Sequence, residues 1–136
     1  KTLVELSKKY KIEDKVQIVG KVHGKQKEEL FISSGLFVSP SYSEALSVAA
    51  IEALRYSLPL LITKTCNFPE VVKSGAGIEV VPSQDAIQVG LEQLIGLSVG
   101  QRKEMGKRGF QLIKEKYSMD IIARQLSNKF ERILRE

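Results

Sequence analysis

Two short apolar runs, Leu36-Phe37-Val38-Ser39 and Leu60-Leu61-Ile62-Thr63, lack any alternation of apolar and polar residues. A strand with one solvated face alternates, whereas a strand covered on both faces does not. Pro40 directly follows the first run and ends it. Between them, Ser47 to Arg55 is rich in Ala and Leu, with Ser47 placed to cap a helix N-terminus. A third strand, Ile78 to Val81, stops at Pro82 and gives way to another helical pattern. Buried strands separated by helices imply a parallel sheet in right-handed crossovers. That is the α/β class, with helices flanking the sheet.

The rest of the chain supplies helices. Thr2 to Tyr10 sets Leu3, Leu6 and Tyr10 on one face and lysines on the other. Lys15 to Val19 reads as a further strand closed by Gly20, and Lys25 to Ser34 as a helix with Leu30 and Phe31 inward. Asn67 to Ser74 reads as a short helix entered through Pro69. Ser83 caps a helix that runs to Leu97, with Ile87, Leu91, Leu94 and Ile95 on one face. Val99 to Tyr117 and Met119 to Leu134 are two more helices. In the last, Ile121, Ile122, Leu126, Phe130 and Leu134 form an apolar stripe expected to dock on protein.

Between the first two strands lies Pro40-Ser41-Tyr42-Ser43-Glu44-Ala45-Leu46, leading into the capped helix. This places Glu44 in a loop at a strand's carboxyl end and Glu52 two turns into the helix. Ligands of α/β proteins sit at that edge of the sheet. The backbone N–H groups of Leu46, Ser47 and Val48 would be unpaired there and could hold an anion. Eight residues of helix rise about 12 Å, so the two carboxylates cannot share one proton. They can touch distant parts of one elongated ligand with a phosphate between them, as a nucleotide-diphosphate sugar would present. The same spacing is also met by a solvated loop residue and a surface helix residue.

Composition removes several alternatives. With 136 residues, 43% of them hydrophobic, residues 1–136 are expected to form one domain with a real core. No apolar run is long enough to span a bilayer. Cys66 is the only cysteine, which rules out an internal disulfide and makes the cytosol the simplest compartment. His23 is the only histidine and there is no cysteine cluster, so a zinc site built by the chain is not expected. The net charge of +5 comes entirely from residues 101–136, where ten basic side chains face five acidic ones (10 − 5); residues 1–100 hold eleven of each. No interleaving of aromatic and basic residues suited to stacking bases accompanies this excess, so no nucleic-acid partner is expected. A solvated helical face explains the charge, as would peripheral contact with an anionic membrane. The first residue, Lys1, lies inside an apparent helix, and the chain is expected to be a piece of a longer protein.

The order Pro40-Ser41, Glu44, Glu52-Ala53-Leu54 and Leu58-Pro59-Leu60-Leu61-Ile62-Thr63 resembles the E-x7-E signature of retaining GT-B glycosyltransferases, the group 1 or family-four transferases. Phe68-Pro69-Glu70-Val71-Val72 matches that family's later P-E-V block, and Gly75 and Gly77 match its next glycines. The strand Val16 to Gly20 and the Met105-Gly106 helix also fall in family order, so the resemblance covers most of the chain. Ala45, Ser47 and Ser57 replace glycines, and Cys66-Asn67 stands where a glycine pair is common; these changes tighten loops and keep both glutamates.

The resemblance implies a Rossmann-like parallel sheet, the C-terminal donor-binding domain of GT-B, truncated at its N-terminus. Two strand-helix units would precede Thr2, one with the basic pair used on the donor phosphates, and the acceptor domain would be absent. The chain alone would then transfer no sugar. The implied activity is transfer of a hexose from a UDP- or GDP-sugar, with retention and without a metal or other cofactor, to a glycan or lipid-linked acceptor bound by the N-terminal domain. Glu44 would be catalytic, holding a hexose hydroxyl near the anomeric carbon. Glu52 would bind the ribose, the helix end at Leu46, Ser47 and Val48 the diphosphate, and the loop Lys21, Val22, His23 the base. Such enzymes are implied to work in the cytoplasm, at the inner face of a membrane. Three rivals remain beside this reading: an inactive scaffold of the same fold, a nucleic-acid-binding α/β domain, and a GT-B epimerase or phosphorylase.

Overall fold

The computed structural model describes residues 2–134, and the chain divides into two compact units, residues 1–30 and 31–136. The first unit opens with α1 (Leu3–Lys9), held by a reciprocal cap: the Thr2 hydroxyl accepts from the Glu5 N–H and the Glu5 carboxylate accepts from the Thr2 N–H. The strand expected over Lys15–Val19 does not form: residues 16–20 belong to no sheet, and Val16, Ile18 and Val19 are exposed. A strand exists only as a ladder with a neighbour. Among the described residues of this unit no second strand is present, so apolar β-forming residues stay irregular. α2 (Gly24–Ser33) begins in this unit.

The second unit holds β1 (Phe37–Ser39), α3 (Val48–Arg55), β2 (Leu60–Thr63), a 3₁₀ turn at Lys64–Cys66, α4 (Glu70–Lys73) and β3 (Gly77–Val80). Three longer helices follow, α5 (Gln84–Gly96), α6 (Val99–Lys116) and α7 (Met119–Ile133). The sheet is parallel in the order β1-β2-β3, with Phe37 opposite Leu60 and Leu60 opposite Gly77. All four residues of β2 are buried, whereas those of β1 and β3 are half-buried, as a central strand between two edges should be. The core gathers Ala50, Ala53 and Leu54 of α3, Leu60 and Ile62 of β2, then Phe68, Val71, Ala76, Leu112 and Ile113.

Two glycines of α6 bring that helix against α3. A Cβ at Gly106 would lie 1.9 Å from the Ser57 carbonyl oxygen, and one at Gly109 would lie 2.4 Å from Leu54 Cδ2. Ser57 itself sits at φ +56° in the turn that leaves α3. The C-terminal end of α3 is therefore pinned by backbone-to-backbone approach, which fixes the helix that carries Glu52.

Tyr117, at the end of α6, meets Phe68 edge-on with ring centroids 5.5 Å apart. Burial, and secondarily the Glu70 carboxylate, pushes its hydroxyl above the usual 10.0. The folded value thus exceeds the unfolded one, so this contribution to stability is complete below the unfolded value and is lost as pH rises through the folded value. Subtracting the alkaline absorbance titration of Tyr117→Phe from that of the wild type should give a phenolate midpoint above the ordinary tyrosine value. A midpoint at or below it would contradict the packing.

The stripe expected on the last helix is not docked. No described residue of α7 is buried, and Leu126, Phe130 and Ile133 are 50%, 62% and 61% exposed. Ile121 is half-buried, whereas Ile122, one residue on and about 100° round the helix, is exposed. The five residues do not share one face.

Candidate functional site

β1 ends at Ser39, and the chain crosses the carboxyl edge of the sheet as Pro40 to Leu46 before entering α3. Ser47 is the N-cap: its hydroxyl accepts from the Ala50 N–H at 3.3 Å and its carbonyl from the Ile51 N–H at 3.1 Å. The side chain of Ser47 is fully buried, so the cap is part of the core rather than a surface detail. The N–H groups of Leu46, Ser47 and Val48 meet no protein acceptor among the described residues. Leu46 and Val48 are exposed, so ligand can reach this helix end.

Glu44 lies in the loop and Glu52 on α3, both half-buried. The helical part of their separation is only Val48 to Glu52, about 6 Å of rise, so Glu52 stands one turn into the helix rather than two. The remainder of the spacing is loop. One oxygen of the Glu44 carboxylate, Oε2, is buried and has no hydrogen-bond partner. A carboxylate oxygen in that position is costly unless something donates to it. Lys21, Val22 and His23 belong to the first unit, in the turn before α2, with Lys21 and His23 exposed and Val22 half-buried.

The structure adds residues that the sequence reading did not single out. The Thr63 and Thr65 hydroxyls both donate to the Ser41 carbonyl, and the two hydroxyls are 3.1 Å apart. The Glu44 N–H donates to the Thr65 carbonyl at 3.1 Å, and Asn67 Nδ2 donates to the Glu44 carbonyl at 2.8 Å. The buried Cys66 thiol lies 3.5 Å from the Ser39 carbonyl. The loop is thus tied at Ser41 and Glu44, and the end of β1 at Ser39, to the end of β2 and the turn after it. The signal available was Asn67, a non-glycine residue where a glycine is common. Its φ is +49°, a conformation that Asn tolerates better than most side chains. Among the described residues no cluster of His, Cys, Asp or Glu could hold a metal ion. No described helix is long and apolar enough to cross a membrane.

Comparison with known proteins agrees with this fold. The family model described as Glycosyl transferases group 1 matches residues 1–112. An uncharacterized glycosyltransferase of Methanocaldococcus jannaschii is 28% identical over 122 residues, 88% of this chain and 31% of its own length. One component of the human phosphatidylinositol N-acetylglucosaminyltransferase is 28% identical over 93 residues, 68% of this chain and 19% of its own length. The chain therefore spans less than a third of either relative. Among solved structures, sucrose-phosphate synthase from Thermosynechococcus elongatus superposes with a TM-score of 0.85 at 20% identity, over 97% of this chain and 33% of that one. The C-terminal domain of a group 1 glycosyl transferase from Francisella tularensis gives 0.73 at 21% identity, over 86% of this chain and 61% of that one. At such identities the structures establish the fold, and the family model covers the two glutamates.

Proposed function

The chain belongs to the group 1 glycosyl transferases, with the GT-B fold, and from that premise we propose that it forms the donor-binding part of a retaining hexosyltransferase. The donor is a nucleotide-diphosphate sugar, UDP- or GDP-linked, and the acceptor is a glycan or a lipid-linked glycan. The observation that carries this reading is the Glu44 carboxylate, with one buried oxygen left without a donor beside an accessible helix N-terminus. A hexose hydroxyl supplies the missing donor, and the fixed negative charge then stabilises the positive charge that develops at the anomeric carbon. The unpaired N–H groups at Leu46, Ser47 and Val48 receive the diphosphate and stabilise it as a leaving group. Glu52, on a helix held from behind by α6, accepts from the ribose hydroxyls. A relative named for N-acetylglucosaminyl transfer to phosphatidylinositol supports an acceptor of lipid character.

Titration of the full-length protein with UDP- and GDP-sugars tests the reading. One series is expected to bind, and Glu52→Ala is expected to weaken it by about 1–3 kcal/mol, the cost of losing a charged hydrogen-bond acceptor. Turnover at saturating donor should change much less. Unaltered donor affinity in Glu52→Ala, or no binding of either series to the wild type, would overturn the assignment.

A further inference from the structure

The Glu44 loop could in principle hold its carboxylate by hydrogen bonds to the carboxylate itself. Oε2 has none, so its position is inherited from the main chain. That main chain is gripped on both sides of the residue: its N–H by the Thr65 carbonyl and its carbonyl by Asn67 Nδ2. Three residues earlier, Ser41 is held through its carbonyl by the hydroxyls of Thr63 and Thr65. The two segments are about two dozen residues apart in sequence, so the contacts are tertiary and not turn chemistry. Asn67 reaches Glu44 because its backbone adopts φ +49°, and its side chain is otherwise exposed. Burial or packing gives no reason for an amide there; the bond to Glu44 does.

We infer that Asn67, with Thr65, is a positioning residue that sets where the Glu44 carboxylate stands in the donor site. This rests on the reading of Glu44 given above. Asn67 does not touch substrate in this account. Its amide replaces a ligand-free loop by one with a single geometry, so that binding a hexose costs little reorganisation.

The decisive variant is Asn67→Gly, because glycine adopts φ > 0 freely and only the amide is lost. In the full-length protein it should keep its thermal midpoint and its KM for the donor within about twofold, while kcat falls about tenfold or more, the scale of a misplaced catalytic group. Amide hydrogen exchange over residues 41–46 should accelerate, since the loop loses the bond to the Glu44 carbonyl and is held at that residue only through the Glu44 N–H and the Thr65 carbonyl. In a Glu44→Ala background the same change should have little further effect on kcat, because the group being positioned is gone. Wild-type kcat in Asn67→Gly overturns the inference, as does an equal loss of kcat and donor affinity, or an undiminished loss in the Glu44→Ala background. Unchanged exchange together with a slow Glu44→Ala overturns the clamp and leaves Glu44 standing. Wild-type turnover in Glu44→Ala overturns the reading of Glu44, and with it any link from Asn67 to turnover.

Discussion

Glu44→Ala is expected to lower turnover of the full-length protein about a hundredfold or more, the scale for losing one preorganised electrostatic contact to a transition state. Its thermal midpoint is expected to stay the same or to rise. Most truncations of a half-buried side chain lower stability, because contacts are lost. Here the native carboxylate keeps one oxygen buried with nothing to donate to it, and removing that oxygen removes a desolvation cost. The two effects have opposite signs, as they do where a site holds a group in readiness at the expense of stability. Thermal unfolding and initial-rate measurements on one preparation read both. Normal turnover would remove Glu44 from the chemistry, and a drop of several degrees without loss of rate would make it a structural residue.

Gly106→Ala is expected to destabilise the chain by about 3 kcal/mol or more, at the upper end of overpacking effects. The sign carries the argument. In a free helix the same substitution is favourable by about 1 kcal/mol, because glycine is a poor helix former. At Gly106 the new Cβ would lie 1.9 Å from the Ser57 carbonyl oxygen, a backbone atom that cannot rotate away. Gly100→Ala, in the first turn of the same helix, has its nearest neighbour at 3.8 Å and serves as the control. It should be neutral or stabilising. Denaturant unfolding of the two variants compares them directly; two midpoints that move the same way would contradict the close approach of α6 to the turn after α3.

Local pattern was sufficient wherever the deciding interaction is itself local. β2 was legible because Leu60-Leu61-Ile62-Thr63 is short, unalternating and rich in apolar and β-branched residues, as a strand covered on both faces is. Ser47 and Ser83 were legible as caps, since an N-cap is chosen by its own hydroxyl and the next three residues. Lys15–Val19 misled because its residues favour a strand while strand formation depends on a neighbour. The α7 stripe misled because Ile122, Leu126 and Phe130 share a helical face by their spacing, and spacing does not say whether the rest of the chain covers that face. The glutamates could be found from their spacing and the family resemblance. The hydroxyls and amide that hold the loop could not, since which threonine reaches which carbonyl is decided only once β1 and β2 lie side by side. Replacement of the usual glycines by Cys66-Asn67 read as a tightened loop; in the structure it supplies a hydrogen bond to Glu44.

The seating of the Glu44 loop has a consequence for the order in which the protein comes together. Every contact that ties the loop down joins residues 21 to 27 apart, and all of them fall between Ser39 and Asn67. Closing a chain segment of that length costs about 0.6 kcal/mol less than closing the roughly twofold longer span from Ser57 to Gly106 that brings α6 home. Contacts of short sequence separation form early in folding. The Glu44 loop and its supports are therefore expected to reach native geometry with the first strand-helix-strand unit, before α6 arrives.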